Sequence, residues 1–322
     1  MKLTTDGDIE LQVEEAGDKD APAVVFSHGW PELAYSWRHQ LPAMAGAGYY
    51  AVAPDQRGYG KSSRPEAIDD YNIVHLTDDL VALLDAVGKE KAVFVGHDWG
   101  SMVVSQMALL HPDRVAGLVN MSVPFLPRGE VPPTTLFRQL FGDTFFYILY
   151  FQEPGVADAD LGRDPATTMR RLLAGVKIRE GDTLDATGLS SPDPNAGFID
   201  RIPEPDGLPD WLSQEELDFY VAEFTRTGYT GGVNWYRNFD RNWELTAAVA
   251  GAKVAVPSLY IAGKQDPVVL MSPPGVGDAF LSDHKGNLMI DDAGHWVQQE
   301  KPAEVNAALL DFVNDVYAKP AS

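Results

Sequence analysis

Short apolar runs bounded by turn residues recur through the first third of the chain, and they constrain its fold more than any other feature. The runs occupy residues 23–27, 49–53, 92–95 and 115–119. Each is apolar at successive positions, which is typical of a strand buried on both faces of a sheet. Amphipathic stretches at 76–87 and 101–110 separate the later runs, and Gly88 ends the first stretch. This alternation predicts an α/β fold with a mostly parallel, doubly wound sheet.

The α/β pattern breaks at about residue 125 and resumes at residue 254. The intervening chain is rich in aromatic residues, Pro and Gly, and its residues 181–211 have the composition of a long lid loop. Two further strands and a closing helix are predicted at 254–261, 287–290 and 302–317. We therefore predict a core domain formed by residues 1–125 and 245–322, with an inserted, mainly helical cap of residues 126–244.

The composition excludes several classes of protein. The 322 residues include no cysteine, so disulfides, thiolate metal sites and cysteine nucleophiles are ruled out. No apolar run reaches the length of about 18 residues that a membrane helix needs, and the N-terminus lacks the apolar region of a signal peptide. We therefore expect a cytoplasmic protein. Its net charge of −22 makes nucleic acid and anionic membranes poor partners. The excess of acidic residues is consistent with a well-solvated surface or with an adaptation to salt. The sequence leaves open whether the protein forms a homo-oligomer.

One pentapeptide, Gly96-His97-Asp98-Trp99-Gly100, follows a predicted strand and opens a predicted helix. This is the context of a nucleophile elbow, a strained turn in which flanking glycines avoid a steric clash. The central residue of such an elbow is usually Ser, whereas here it is Asp. A carboxylate is already ionised at neutral pH and suits displacement at a saturated carbon. The alternative is a tight turn whose Asp is merely favoured by the helix N-terminus.

Two further polar residues follow the last two predicted strands. Asp266 comes after the strand at 254–261, and His295 comes after the strand at 287–290. Open α/β sheets place their sites at the carboxyl ends of the strands, so both residues are expected near Asp98. The chain order of nucleophile, acid and histidine is that of the triad in α/β-hydrolases. The alternative for Asp266 is a turn-capping role beside Pro267.

A candidate oxyanion hole comes from the segment His-Gly-Trp-Pro-Glu at residues 28–32, which follows the first buried strand. The backbone N–H groups of Trp30 and Trp99 are expected to point at a carboxyl oxygen of Asp98. One such donor typically contributes about 10²–10³ in rate. We interpret the neighbouring His28 and His97 as structural residues.

These motifs together resemble those of the epoxide hydrolases of the α/β-hydrolase fold, and they are similar to the vertebrate and plant soluble enzymes. The resemblance rests on segments 28–32, 55–62, 96–100, 147–155, 234–238 and 294–296. It implies that Tyr147 and Tyr236, both in the cap, hold the epoxide oxygen and open the ring. Tyr150 lies on the same helical face as Tyr147 and is the competing candidate.

The resemblance also implies a substrate pocket and a set of partners. The residues that it implies for the pocket lining are Trp30, Pro31, Trp99, Met102, Tyr150 and Trp296. The peptide bond before Pro31 is expected to be cis. The partners are a small-molecule epoxide and water, and neither a metal nor an organic cofactor is needed.

The sequence therefore predicts an epoxide hydrolase that serves in detoxification and xenobiotic metabolism. Asp98 attacks a ring carbon to form an alkyl-enzyme ester, and His295, oriented by Asp266, activates the water that hydrolyses the ester. The main alternative is a haloalkane dehalogenase with the same nucleophile, although such enzymes often carry Asn where Trp30 stands. The other alternative is a non-catalytic relative acting as a small-molecule receptor, which would not need an intact triad.

Overall fold

A central sheet of eight strands organises the chain in the computed structural model, which describes residues 1–5, 8–178, 181–193 and 195–318. The strands are β1 (Lys2–Thr5), β2 (Ile9–Ala16), β3 (Ala23–Ser27), β4 (Tyr50–Pro54), β5 (Ala92–His97), β6 (Val115–Met121), β7 (Phe145–Phe146), β8 (Ser190–Ser191), β9 (Val254–Gly263) and β10 (Leu281–Ile290). The order across the large sheet is β1-β2-β4-β3-β5-β6-β9-β10. All neighbours from β4 to β10 are parallel, and only β1 and β2 join in antiparallel pairs. The predicted mostly parallel sheet is thus confirmed.

The strands predicted from buried apolar runs are present as β3, β4, β5, β6 and β9. Strand β10 begins at Leu281, well before its predicted start at residue 287. The prediction missed the first half of the strand because its positions are partly buried or exposed and form no buried apolar run. Strands β1 and β2 were not predicted. In β2 only Leu11 and Val13 are buried and their neighbours face outward, so this strand lacks a continuous apolar run.

Helices cover both faces of the sheet and form the segment between β6 and β9. They are α1 (Gln40–Gly46), α2 (Ile73–Ala86), α3 (Trp99–Leu110), α4 (Pro133–Phe141), α5 (Tyr147–Tyr150), α6 (Val156–Gly162), α7 (Pro165–Gly175), α8 (Phe198–Arg201), α9 (Gln214–Thr227), α10 (Thr230–Arg237), α11 (Phe239–Leu245), α12 (Val268–Met271), α13 (Val297–Glu300) and α14 (Pro302–Ala318). Helix α2 begins where the Asn72 side chain accepts the N–H groups of Val74 at 3.1 Å and His75 at 3.2 Å. The predicted helices at 76–87, 101–110 and 302–317 correspond to α2, α3 and α14.

Two hydrophobic clusters lie on opposite faces of the sheet. Val25 and Phe94 belong to the cluster that contains residues of α2 and α3, and the cap contributes to the same cluster. Val24 and Val93 belong to the other cluster, with residues of α1 and α14. Successive residues of one strand therefore enter different cores, which explains why the central strands are apolar at every position.

The chain between β6 and β9 forms a cap and adds no described strand to the large sheet. It contains helices α4 to α11, and its described strands β7 and β8 pair only with each other. The predicted inserted, mainly helical cap is confirmed, whereas its boundaries at residues 126 and 244 stay a prediction. The segment predicted as a lid loop at 181–211 holds β8, α8 and one 3₁₀ turn, and its residue 194 lies outside the described residues.

Charged and polar contacts hold the cap against the core. Arg38 Nε donates to Glu216 Oε1 of α9 at 2.7 Å, and Lys177 Nζ lies 2.6 Å from Glu300 Oε2 of α13. The Trp235 indole of α10 donates to the Arg57 carbonyl at 3.1 Å. The cap therefore lies over the carboxyl ends of the strands. In the described ranges, none of the helices combines the length and apolar character that crossing a bilayer requires.

Candidate active site

Asp98 stands on a strained turn between β5 and α3. Its φ of 52° and ψ of −119° are unusual for a residue with a side chain. The turn requires its glycines, since a Cβ on Gly96 would lie 2.3 Å from the Gly100 carbonyl oxygen and one on Gly100 would lie 1.9 Å from the Ser27 oxygen. Such strain costs on the order of 1–3 kcal/mol and is typical of functional sites. The local geometry is that of the predicted nucleophile elbow.

The Asp98 carboxylate faces two backbone donors. The Trp30 N–H donates to Asp98 Oδ1 at 2.8 Å, and the Trp99 N–H also hydrogen-bonds this carboxylate. Burial raises the pKa of Asp98 above its ordinary value, although the charges of His295 and His97 and the two N–H groups act in the opposite direction. The two donors predicted for an oxyanion hole therefore converge on the predicted nucleophile.

His295 lies between two carboxylates. Its Nδ1 is 3.0 Å from Asp266 Oδ1, and its Nε2 is 3.7 Å from Asp98 Oδ2. Asp266 is fully buried and also accepts the Val268 N–H at 2.9 Å. The structure thus brings together the three residues that follow β5, β9 and β10, as the sequence predicted.

The charges of this cluster shift its pKa values in opposite directions. Burial lowers the pKa of His295, but the charge and hydrogen bond of Asp266, with smaller effects of Asp98 and Glu32, raise it to about 9. Burial raises the pKa of Asp266, but the charge and hydrogen bond of His295 and a hydrogen bond from Ser122 leave it below the ordinary value. The resting site therefore holds an imidazolium beside an ionised Asp266 at neutral pH.

A buried hydrogen-bond chain links the three loops of the site. Glu32 Oε2 accepts the Gly29 N–H at 2.8 Å and lies 2.6 Å from His97 Nδ1, while His97 Nε2 lies 2.7 Å from the His295 carbonyl oxygen. Burial raises the pKa of Glu32, but His97 and the hydrogen bonds lower it to about 2. His97 thus connects the Glu32 loop to the His295 loop. His28 is fully buried and accepts the Gln56 N–H at 3.0 Å, in agreement with a structural role.

Two cap tyrosines face Asp98 across a cavity. Tyr147 begins α5 and Tyr236 lies on α10, and their ring centroids are 5.9 Å apart. Their side chains are hydrogen-bonded to each other, and burial raises the pKa of each well above the ordinary value of tyrosine. Both phenols are therefore protonated at neutral pH. The Tyr150 hydroxyl instead donates to Asp160 Oδ2 at 3.3 Å, away from Asp98, which favours Tyr147 over Tyr150.

Most of the wall of this cavity is apolar. Its lining residues are Trp30, Pro31, Asp98, Tyr147, Leu172, Val176, Leu189, Phe198, Tyr236, Pro267, Val268, His295 and Trp296. The bond between Trp30 and Pro31 is cis, as the resemblance implied. Among the described residues, no group of three or more His, Asp or Glu side chains could hold a metal ion.

Three residues expected in the substrate pocket are not among those that line this cavity, and their place in the pocket stays a prediction. Trp99 packs its ring against Phe239 at 4.8 Å and hydrogen-bonds Tyr236, so it lies behind the tyrosine. Met102 packs against the hydrophobic core from α3, and Tyr150 is held by Asp160. The cap residues Leu172, Val176, Leu189 and Phe198 were missed. Their apolar character is equally typical of core residues, so the sequence gives no signal that separates the two.

One further residue of the site was missed. Ser122 directly follows β6, is fully buried and has a φ of 66°. Its Oγ lies 3.0 Å from His295 Nδ1. The available signal is its position, because it is a polar residue at the carboxyl end of a buried strand, like Asp98 and Asp266.

The chain is similar to known proteins over nearly its whole length. The α/β-hydrolase fold family matches residues 22–302. Epoxide hydrolase A of Mycobacterium tuberculosis (strain ATCC 25618 / H37Rv) is 59% identical over 97% of this chain and 96% of its own length. Epoxide hydrolase 1 of Siraitia grosvenorii is 40% identical over 97% and 96% of the two chains. The crystal structure of Epoxide Hydrolase A from Mycobacterium thermoresistibile superposes with a TM-score of 0.93 at 57% identity, covering 98% and 97% of the two chains.

Proposed function

Because the chain belongs to the epoxide hydrolases of the α/β-hydrolase fold family, we propose that it hydrolyses an epoxide to a vicinal diol through an ester on Asp98. One observation carries this proposal. The carboxylate of Asp98 and the hydroxyl-bearing rings of Tyr147 and Tyr236 line the same cavity, and the His295–Asp266 pair lies behind the carboxylate. A nucleophile and two acids thus face a single substrate from opposite sides.

The first step is ring opening. An Asp98 oxygen forms a bond to a ring carbon while the carbon–oxygen bond of the epoxide breaks. The alkoxide that leaves is too basic to depart unassisted, so one tyrosine gives it a proton while the other donates a hydrogen bond. The raised pKa values of Tyr147 and Tyr236 support this role, because both phenols are protonated in the resting enzyme.

The second step is hydrolysis of the ester by water. Ester formation removes the negative charge of Asp98, which is one of the causes that raise the pKa of His295. The pKa of His295 therefore falls after alkylation, the imidazolium returns its proton to the tyrosine that ring opening deprotonated, and the neutral imidazole takes a proton from water. Water attacks the carbonyl carbon of the ester, and the Trp30 and Trp99 N–H groups stabilise the oxyanion. Collapse breaks the bond between the carbonyl carbon and the alkyl oxygen, which takes the proton of the new carboxyl group, so the diol leaves and Asp98 is again a carboxylate.

The cavity supports an apolar, uncharged substrate. Apart from Asp98 and His295, its lining consists of aromatic, aliphatic and proline side chains. An anionic group on the substrate would meet the Asp98 carboxylate in a buried site without a compensating Lys or Arg in the lining. We extend the proposal to apolar epoxides of xenobiotic origin, and a role in their detoxification and a cytoplasmic location stay predictions.

The haloalkane dehalogenase alternative is less well supported. A halide leaving group needs N–H donors and no proton, so two tyrosine hydroxyls opposite Asp98 would have no task. The relatives described above are named epoxide hydrolases. Turnover of styrene oxide compared with halide release from a haloalkane separates these two activities. A receptor without catalysis would show neither.

A single turnover in ¹⁸O-labelled water, with enzyme in excess, tests the covalent route. The diol oxygen of the first turnover comes from Asp98 if the ester forms, so we expect mostly unlabelled diol. The label should appear in the tryptic peptide of residues 92–114, at Asp98 and not at Asp113. Enzyme kept in labelled water without epoxide is the control and should carry no label. Fully labelled diol from that first turnover would rule the ester mechanism out.

A further inference from the structure

Ser122 has a backbone conformation that is fixed from two sides. Its φ of 66° is uncommon for a residue other than Gly, Asn or Asp. The Ser122 N–H donates to the Ile261 carbonyl at 3.0 Å, and the Ser122 carbonyl accepts the Tyr260 hydroxyl at 2.7 Å. Both partners lie on β9, the strand that leads to Asp266. The strained conformation of Ser122 is therefore fixed relative to β9 and to Asp266, the residue that pairs with His295.

The Ser122 hydroxyl completes a three-membered cluster. Its Oγ and Asp266 Oδ1 each lie 3.0 Å from His295 Nδ1. The hydroxyl is also one of the groups that lower the pKa of Asp266, whose ionised carboxylate can only accept a hydrogen bond. The proton of Ser122 therefore goes to Asp266, and the oxygen of Ser122 accepts from the Nδ1–H of His295.

We propose that Ser122 is a positioning residue, whose hydroxyl fixes the His295 ring and its tautomer by accepting from Nδ1–H while donating to Asp266. This inference rests on the proposed role of His295 as the base. A base needs a free lone pair on Nε2, which is the nitrogen that faces Asp98 at 3.7 Å. Two acceptors at Nδ1 keep the proton there and hold the imidazole plane, so Nε2 stays directed at the water that attacks the ester.

The variant Ser122→Ala tests the hydroxyl because it keeps the Cβ and therefore the backbone strain. We expect ring opening at the wild-type rate and hydrolysis of the ester slowed by about 10- to 100-fold, the effect of losing a hydrogen bond to a charged group. Rapid mixing with an epoxide, followed by tryptophan fluorescence and intact-protein mass, measures the two steps separately. The accumulated ester should appear as the mass of the chain plus one substrate.

Two further variants separate the hydroxyl from its surroundings. Ser122→Gly also removes the hydroxyl but relieves the strain, so it should slow hydrolysis as much as Ser122→Ala. Ser36→Ala is the matched control, since Ser36 is equally buried and hydrogen-bonds Tyr220 at 2.8 Å in another part of the fold. It should leave both steps unchanged. Equal slowing of ring opening and hydrolysis by Ser122→Ala would indicate a merely structural role and overturn the inference.

A double-mutant cycle with Asp266→Asn tests whether Ser122 acts through the Asp266–His295 pair. If it does, adding Ser122→Ala to Asp266→Asn should cost little more than Asp266→Asn alone. Independent, multiplying losses would contradict the proposal. The variant His295→Gln distinguishes a failure of the inference about Ser122 from a failure of the proposed function. If His295→Gln traps the ester and Ser122→Ala hydrolyses it at the normal rate, the role of Ser122 is refuted while the covalent mechanism stands. If neither variant forms the ester, the covalent mechanism itself is contradicted.

Discussion

The imidazole of His295 offers a quantitative test of the electrostatics of the site. Its pKa of about 9 lies above the ordinary value of 6.5, and the difference corresponds to about 3 kcal/mol. Because the folded-state pKa is raised, this contribution to the free energy of unfolding is fully present below pH 6.5. It is lost as the pH rises through about 9. The wild-type protein should therefore lose about 3 kcal/mol from this group between pH 6 and pH 10.

Urea unfolding at these two pH values measures the loss, and two variants identify its source. His295→Gln removes the titrating group. Between pH 6 and pH 10, the unfolding free energy of this variant should therefore fall by about 3 kcal/mol less than that of the wild-type protein. Asp266→Asn removes the first of the causes that raise the pKa of His295, while burial, which lowers it, and the smaller effects of Asp98 and Glu32, which raise it, remain. Between these two pH values, Asp266→Asn should therefore lose less unfolding free energy than the wild-type protein, whatever its stability at a single pH.

NMR titration of the imidazoles checks the same pKa directly. The chain has seven histidines, and the resonance missing in His295→Gln belongs to His295. We expect this resonance to titrate near pH 9 in the wild-type protein and at a lower pH in Asp266→Asn. A His295 resonance that titrates near pH 6.5 in both proteins, or equal pH dependence of stability in wild type and His295→Gln, would refute the reasoning.

Two other predictions concern the separate steps of the reaction. Tyr147→Phe and Tyr236→Phe should each slow ring opening, and the double variant should be slower still, because general acid catalysis contributes about 10²–10⁴-fold and the two phenols share that task. Tyr150→Phe is the matched control, and stopped-flow measurement of ring opening would contradict the assignment if Tyr150→Phe were the damaging change. His295→Gln should form the ester but hydrolyse it very slowly, which intact-protein mass spectrometry detects as the chain plus one substrate. Normal steady turnover by His295→Gln would exclude His295 as the base.

The sequence predicts the centre of the sheet well because burial leaves a strong local signal there. Strands β3 and β5 are buried along their whole length, so their apolar runs are continuous. The triad is predictable from its position after strands, since Asp98 directly follows β5, and Asp266 and His295 lie in the loops three and five residues beyond the ends of β9 and β10. Strand β2 lies near the sheet edge and fully buries only Leu11 and Val13, so its apolar residues alternate with polar ones and form no continuous run.

The walls of the cavity are much harder to predict. Leu172 on α7 and Phe198 on α8 line the cavity and Met102 on α3 does not, although all three pack in or against the same hydrophobic cluster. All three are apolar residues on helices, and their difference arises from how the cap packs over the sheet. Ser122 was missed for another reason, because its left-handed backbone is imposed by tertiary hydrogen bonds to β9 and not by its residue type.

In the proposed reaction, the two carboxylates of the site have distinct roles because their surroundings differ. Asp266 lies outside the cavity lining, and its partners keep its pKa low, so it stays ionised through the cycle. Asp98 lines the cavity, and its charge disappears when the ester forms. His295 contacts both, so the loss of one charge changes its pKa while the other keeps its ring in place. Ring opening thus itself prepares the base for the second step, and a single histidine can accompany the attack as an imidazolium and then accept the proton of water.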